Sequence, residues 1–468
     1  MARRAALLWP GGLDARRVLP LAYAWLAANT PSDLCELKLF DLALNPRAPG
    51  ELEKEIAAFA PDVIAVSCFA MNFPQALEAV RAARRAAPKA VVVAGGQHPS
   101  SWPEGVLACP EIDFVIRGEG EQAFPAFLRE AFSASPRWEA VPGLVRRGNG
   151  GLIDAPPAAV EDLDSLALPD HKFIKLDEYL RRGYRVYADH RPSAPLQTTR
   201  GCPYGCAFCC GPAISGRRLR RFSVPYALRA LEALHRDFGV KWFNIIDDNF
   251  TFHPEEAKEF CRAALKLGIP GLRFGTPNGV RAQHGDKELW SLMRDAGWDH
   301  FTAAPESGSQ RVLDLMKKDL RPVDMERAVR EMRQTGLPVC GFFIVGYPGE
   351  TPEDLRLTME MVKKFDLVEM FVFQPLPGSP VFRELLAAGK IKADFIPSVD
   401  DFSSGQASYV SEELRGVNFY RLVFLVRLGT ALRHPLTALG HLRHLDLPVA
   451  AAKVFRQALG LLGFRPSD

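Results

Sequence analysis

Short apolar runs alternate with helical patterns along most of this chain, and a sequence built that way has few ways to bury itself. In the first third, AALLW (5–9), ELKLFDL (36–42), DVIAVS (62–67), AVVVAGG (90–96) and DFVIRG (113–118) read as buried parallel strands. Helical patterns near 19–29, 51–60, 73–87 and 121–134 lie between or after them. Five strands with crossover helices predict a Rossmann-like, doubly wound α/β sheet over residues 1–134. Such a sheet binds ligands outside the carboxyl ends of its strands. There the chain offers Ser67, the turn with Gly95, Gly96 and His98, and the turn with Gly118 and Gly120, where small residues let a large flat ligand approach the backbone. Each turn, taken singly, also fits an ordinary strand-to-helix connection.

Residues 135–194 read as a linker with a hairpin around the Gly-Asn-Gly-Gly at 148–151. Strand and helix then alternate again over 195–384: PLQTTRG, KWFNIID, GLRFGT, DHFTAA, PVCGFFIVG and EMFVFQP, separated by helical patterns. Six such units predict a partial (βα)6 TIM-type barrel with its site at the strand carboxyl ends. Residues 385–468 predict a helical region. From Arg415 onward it carries seven Arg and one Lys against two Asp, which fits packing on the barrel and also permits peripheral contact with an anionic membrane.

The 468 residues suggest two or three domains, and 24% charged residues against 47% hydrophobic ones are ordinary for globular proteins. A net charge of +3 gives no ground for nucleic-acid binding. The N-terminus lacks a signal-peptide pattern and no stretch approaches a membrane span, so a cytoplasmic location is expected.

Nine cysteines are too few for a disulfide scaffold. Five are scattered among apolar neighbours, where an inert buried thiol is expected. The other four crowd into TTRGCPYGCAFCCG. Cys202, Cys206 and Cys209 stand in C-x3-C-x2-C spacing directly after the first barrel strand, and three thiolates on one short loop can share one inorganic centre. Three protein ligands leave a metal position open for a substrate. Adjacent residues seldom reach the same cluster, which makes Cys210 a bystander. A structural zinc site would need a further Cys or His pair nearby.

CPYGCAFC in this place resembles the signature of the radical S-adenosylmethionine (SAM) enzymes. The resemblance implies a 4Fe-4S cluster on Cys202, Cys206 and Cys209, with its fourth iron chelating SAM. It further implies SAM contacts from Phe208, from Asp247, Asp248 and Asn249 in NIIDDNF, from Glu306 and Ser307 in APESGSQRVL, and from Ile344 and Gly346 in GFFIVGYPGET. NIIDDNF keeps the acidic character but not the Gly-Gly-Glu that the family often has. The first third is similar to the cobalamin-binding subclass, which implies corrin contacts from Ser67, Gly95, Gly96, His98, Gly118 and Gly120. The Asp-x-His of histidine-ligated cobalamin domains is absent. The expected activity is C-methylation of an unactivated carbon in a small-molecule or natural-product substrate, supported by an electron donor such as flavodoxin or ferredoxin. Radical cyclisation, rearrangement or oxidation is the alternative, and a non-catalytic iron-sulfur or zinc protein is the alternative of another class.

Overall fold

The structure is a computed structural model that describes residues 3–184, 193–397 and 409–435. Strands Arg4–Trp9 (β1), Glu36–Asp41 (β2), Val63–Ser67 (β3), Val91–Gly95 (β4) and Phe114–Ile116 (β5) form the expected parallel sheet. Its order is β2-β1-β3-β4-β5, with the direction of winding reversing at β1. Alternate residues of β1 enter separate cores on the two faces: Ala5, Leu7 and Trp9 on one, Ala6 and Leu8 on the other. That double burial is why these strands read as unbroken apolar runs.

The hairpin Leu144–Gly148 (β6) and Gly151–Asp154 (β7) continues this sheet: β6 pairs antiparallel with β5, and β7 with β6. The residues expected to form a linker ornament are therefore an extension of the first sheet. Between β4 and β5 the crossover is broken into two short helices, Gln97–Ser101 and Pro103–Leu107. Five-residue helices carry too little periodicity to be seen in the sequence.

The second unit begins with Ser193–Leu196 (β8). A two-residue ribbon follows, Thr199–Arg200 (β9) against Arg220–Arg221 (β10). Trp242–Ile245 (β11), Arg273–Gly275 (β12), Phe301–Glu306 (β13), Val339–Val345 (β14) and Leu367–Val372 (β15) complete the six expected barrel strands. They form two parallel leaves, β12-β11-β8 and β13-β14-β15. Among the described residues only two isolated bridges, Phe274–Trp298 and Val280–Ala303, join the leaves. Ser223, Asp286, Ser309, Thr351 and Ser379 cap the helices that follow, each accepting a backbone N–H two or three residues into the helix.

The helix Phe419–Arg433 packs against β15. Among the described residues no helix is long and apolar enough to cross a membrane. The basic segment beyond residue 435 lies outside the described residues.

The two units also meet beside the crossover helices. Trp102 packs edge-on against Phe382 with ring centroids 5.1 Å apart, and Arg383 bonds Glu104 at 2.9 Å. Gly378 sits here at φ +86, and a Cβ on it would lie 1.9 Å from the carbonyl oxygen of Ser101. Gly378→Ala is expected to cost at least about 1–3 kcal/mol from the left-handed backbone alone. Denaturant unfolding of the two proteins measures this, and an unchanged midpoint would mean that the interface yields without cost.

Candidate active site between the two units

The cysteine loop occupies residues 201–219, closed at its neck by the β9–β10 ribbon. Gly201 starts it at φ +93, where a Cβ would stand 2.3 Å from the Arg218 carbonyl oxygen, so no other residue fits this crossing. Cys202 N–H donates to Gly216 O at 3.2 Å and Cys209 N–H to Cys206 O at 3.1 Å. Gly211 N–H donates to Cys209 Sγ at 3.3 Å, and Arg281 Nη2 to Cys206 Sγ at 3.2 Å. Cys210 is buried and turns away, its thiol 3.6 Å from Pro377 O. Cys209 keeps accessible surface, yet surrounding protein desolvates it and pushes its thiol up to about 12.

Among the described residues no three His, Cys, Asp or Glu side chains are gathered as a single-ion site. A zinc ion needs its ligands around one point, whereas a cube takes each thiolate on a different iron. The donor set of three thiols on one loop, with a guanidinium and an amide already aimed at sulfur, fits the cube.

The residues expected around SAM divide into two groups. Asp247 is buried, accepts from Thr198 N at 2.7 Å and from the Thr198 hydroxyl, and thereby ties the end of β11 to the end of β8. Burial pushes its carboxyl up to about 6. Ser307 is likewise engaged, with Thr358 Oγ1 at 2.9 Å and Ser309 N–H at 3.1 Å. These two hold the barrel rim together. Asp248, by contrast, is exposed beside Gly211 and Cys209. Asn249 is buried with neither amide atom bonded to protein, an unmet polar group of the kind that a ligand satisfies.

Glu306 stands at φ +61 after an irregularity in β13 and pairs with Lys318 Nζ at 2.6 Å, both side chains nearly buried. Lys318 in turn lies 5.9 Å from the centre of the Phe208 ring. Phe208 and Ile344 pack partly buried in one apolar cluster with Tyr347 and Phe373. Gly346, at φ +81, donates its N–H to Glu350 at 2.5 Å. Glu350 is fully buried with its second oxygen unpartnered, and burial raises its carboxyl to about 7.

A cavity of about 320 Å³ lies between the first sheet and the start of the barrel. Ser67, Gly95, Gly96, Gly118 and Gly120 line it from the ends of β3, β4 and β5, with Gln197, Arg200, Ile214, Ser215 and Ile246 from the second unit. The wall is chiefly apolar with a few polar groups at its rim, and the volume falls at the small end of ligand pockets. Glycines at the ends of β4 and β5 beside an apolar wall suit a large flat ligand lying against the backbone. His98 does not line this cavity. It is buried with its ring 4.7 Å from Phe73, its Nδ1 unpartnered, and burial holds it down at about 4.

Several residues of the site were not legible. Arg281 stacks on Tyr204 at 3.3 Å while touching Cys206, and Tyr204 meets His284 through its hydroxyl. Glu119 and Glu121 alternate with Gly118 and Gly120 in the turn after β5, and they grip Arg200 and Arg220 at the cluster-loop neck. Their pairing spans some 80 to 100 residues of chain, and no local pattern announces it.

A cysteine loop opening toward a second ligand cavity at the ends of a doubly wound sheet defines a radical SAM enzyme with a cobalamin domain. Residues 196–362 match the radical SAM superfamily, and residues 16–128 match the B12 binding domain. The chain thus carries a radical SAM domain and, ahead of it, a B12 binding domain. It is 28% identical to an uncharacterized methyltransferase of Pyrococcus horikoshii over 79% of this chain and 78% of the relative. It is 27% identical to an anaerobic magnesium-protoporphyrin IX monomethyl ester cyclase of Rubrivivax gelatinosus, over 74% of this chain and 62% of that one. The fold matches the radical SAM methyltransferase TsrM of Kitasatospora setae with a TM-score of 0.70 at 20% identity, covering 83% of this chain and 76% of the other. These likenesses support an enzyme, with methyltransferases and a cyclase alike among its relatives.

Cys206→Ala is expected to lose stable cluster assembly, whereas Cys210→Ala keeps it; iron and sulfide quantification after anaerobic reconstitution decides, and equal loss would reverse the ligand assignment. Glu350 offers a pH test. A carboxyl raised in the folded state stabilises it fully below the unfolded value of 4.5, and that contribution is lost as pH rises to about 7. The stability of Glu350→Gln relative to the native chain is therefore expected to improve between those values and stay level above them, read from unfolding midpoints across the range.

Proposed function

We propose that this enzyme methylates an unactivated carbon of a small-molecule or natural-product substrate held between the barrel mouth and the cobalamin domain. One observation carries the reading: the interdomain cavity is walled by strand ends from both units, with Ile214 and Ser215 of the cysteine loop in its lining. When bound, the cluster with SAM supplies hydrogen abstraction from an unreactive carbon, and the corrin supplies a methyl group.

The chain's own residues bind, orient and exclude water. Cys202, Cys206 and Cys209 would hold the cluster, with Arg281 donating to the Cys206 sulfur. Asp248, Asn249 and Glu306 would meet the polar end of SAM, and Phe208, Ile344 and the Gly346 backbone its flat base. Asp247 and Ser307 position these contacts through Thr198 and Thr358. Ser67, Gly95, Gly96, Gly118 and Gly120 would lie against the corrin or its side chains. A low-potential one-electron donor such as flavodoxin or ferredoxin completes the requirement.

Radical cyclisation is the second reading, favoured by the likeness to the cyclase of Rubrivivax gelatinosus. SAM carrying an isotopic label in its methyl group separates the two. Methylation places the label in the product, while an unlabelled product formed together with 5'-deoxyadenosine would overturn methyl transfer. Hydroxocobalamin added before desalting should leave a corrin spectrum on the protein, and its complete loss would remove the corrin assignment.

A further inference from the structure

We propose that the cobalamin domain positions the cluster loop through Glu119 and Glu121, so that filling the interdomain cavity prolongs the life of the cluster. The neck of that loop is unusual. Arg200 and Arg220 are direct partners across the two-residue ribbon, so their side chains leave it on the same face. Like charges directly opposite each other push a ribbon apart, and a ribbon this short has little else to hold it.

The first unit supplies what the ribbon lacks. Glu119 accepts both terminal nitrogens of Arg220 at 2.8 and 2.6 Å. Glu121 accepts Arg200 Nη2 at 2.6 Å, with Arg200 Nη1 3.6 Å from Glu119. All four side chains are at most 6% exposed. Arg220 also donates to the carbonyl of Ser215, inside the cluster loop, at 2.9 Å. The carboxylates thus reach the loop both at its neck and within it. They touch no reacting atom, and their role is positioning.

The same groups face the cavity: Glu119, Glu121, Arg200, Ile214 and Ser215 all line it. A ligand seated there displaces water that competes for these ion pairs, and pairs shielded from water are stronger. Coupling of this kind is reciprocal, so an assembled cluster loop raises ligand retention by the same factor. This second half rests on the cavity being the corrin site.

The test uses the full chain, reconstituted anaerobically, with cluster lifetime followed by visible absorption after adding an iron chelator. Bound hydroxocobalamin is expected to lengthen the lifetime of the native protein by about fivefold or more. Glu121→Gln should shorten the lifetime of the cobalamin-free protein and abolish the lengthening, while its circular dichroism stays native. Should that variant misfold, Glu119→Gln combined with Arg220→Met removes a carboxylate and a guanidinium together and is expected to behave the same way. A cobalamin-free lifetime unchanged in the variant overturns the positioning role. Equal lifetimes with and without retained hydroxocobalamin in the native protein overturn the coupling. If the native protein retains no corrin, the corrin assignment and the coupling both fall, and the cobalamin-free comparison still decides the positioning role.

Discussion

Parallel strands joined by right-handed crossovers all end on one side of their sheet, and this protein sets two such ends toward each other. The ends of β3, β4 and β5 and those of β8 and β11 enclose one cavity. Neither unit needs a special insertion to reach the other. The turns that end the first strands are short and rich in glycine, and the loop that follows the first barrel strand carries the cysteines. The chemistry is therefore concentrated where the topology leaves backbone ends free.

Holding two units at such a junction with buried charge is an expensive choice, because each ion loses its hydration. The structure limits that cost in three ways. Glu119 and Glu121 sit at the N-cap and first turn of the helix Gly120–Ala131, where the helix dipole favours negative charge. The pairing of Glu119 with Arg220 is two-pronged. Arg200 lies over the rings of Trp25 and Phe222 at 4.8 and 5.7 Å, which suits a weakly hydrated guanidinium. Apolar contacts around Trp102 and Phe382 hold another part of the same junction.

Much of this architecture was legible because it is periodic. β1, β3 and β4 are apolar on both faces, and the barrel helices begin at capping side chains just after strands end. The cysteine spacing was legible because three ligands must share one loop. What escaped notice depends on contacts distant in sequence. The hairpin at 144–154 looked like an ornament because its pairing partner, β5, lies upstream of a helix. Asp247 and Ser307 looked like ligand contacts because strand-end polar groups are common in sites; only the geometry shows them committed to Thr198 and Thr358. His98 is the sole histidine of the first 150 residues and stands at a strand-end turn, yet its ring lies against Phe73 and does not line the cavity. Arg281 carried no local signal at all, and it reaches Cys206 across 75 residues.

The barrel's two leaves have a mechanical meaning. Within each leaf the strands are knitted by ladders of several paired residues, whereas among the described residues the boundary between β12 and β13 is crossed by two isolated bridges alone. Apart from the open edge between β8 and β15, where no pairing joins the leaves among the described residues, that line carries the fewest backbone bonds, and widening the mouth along it separates Asp248 and Asn249 on one leaf from Glu306 and Gly346 on the other. A molecule gripped by both sets acts as a staple across the split, drawing the halves of the ring shut around itself.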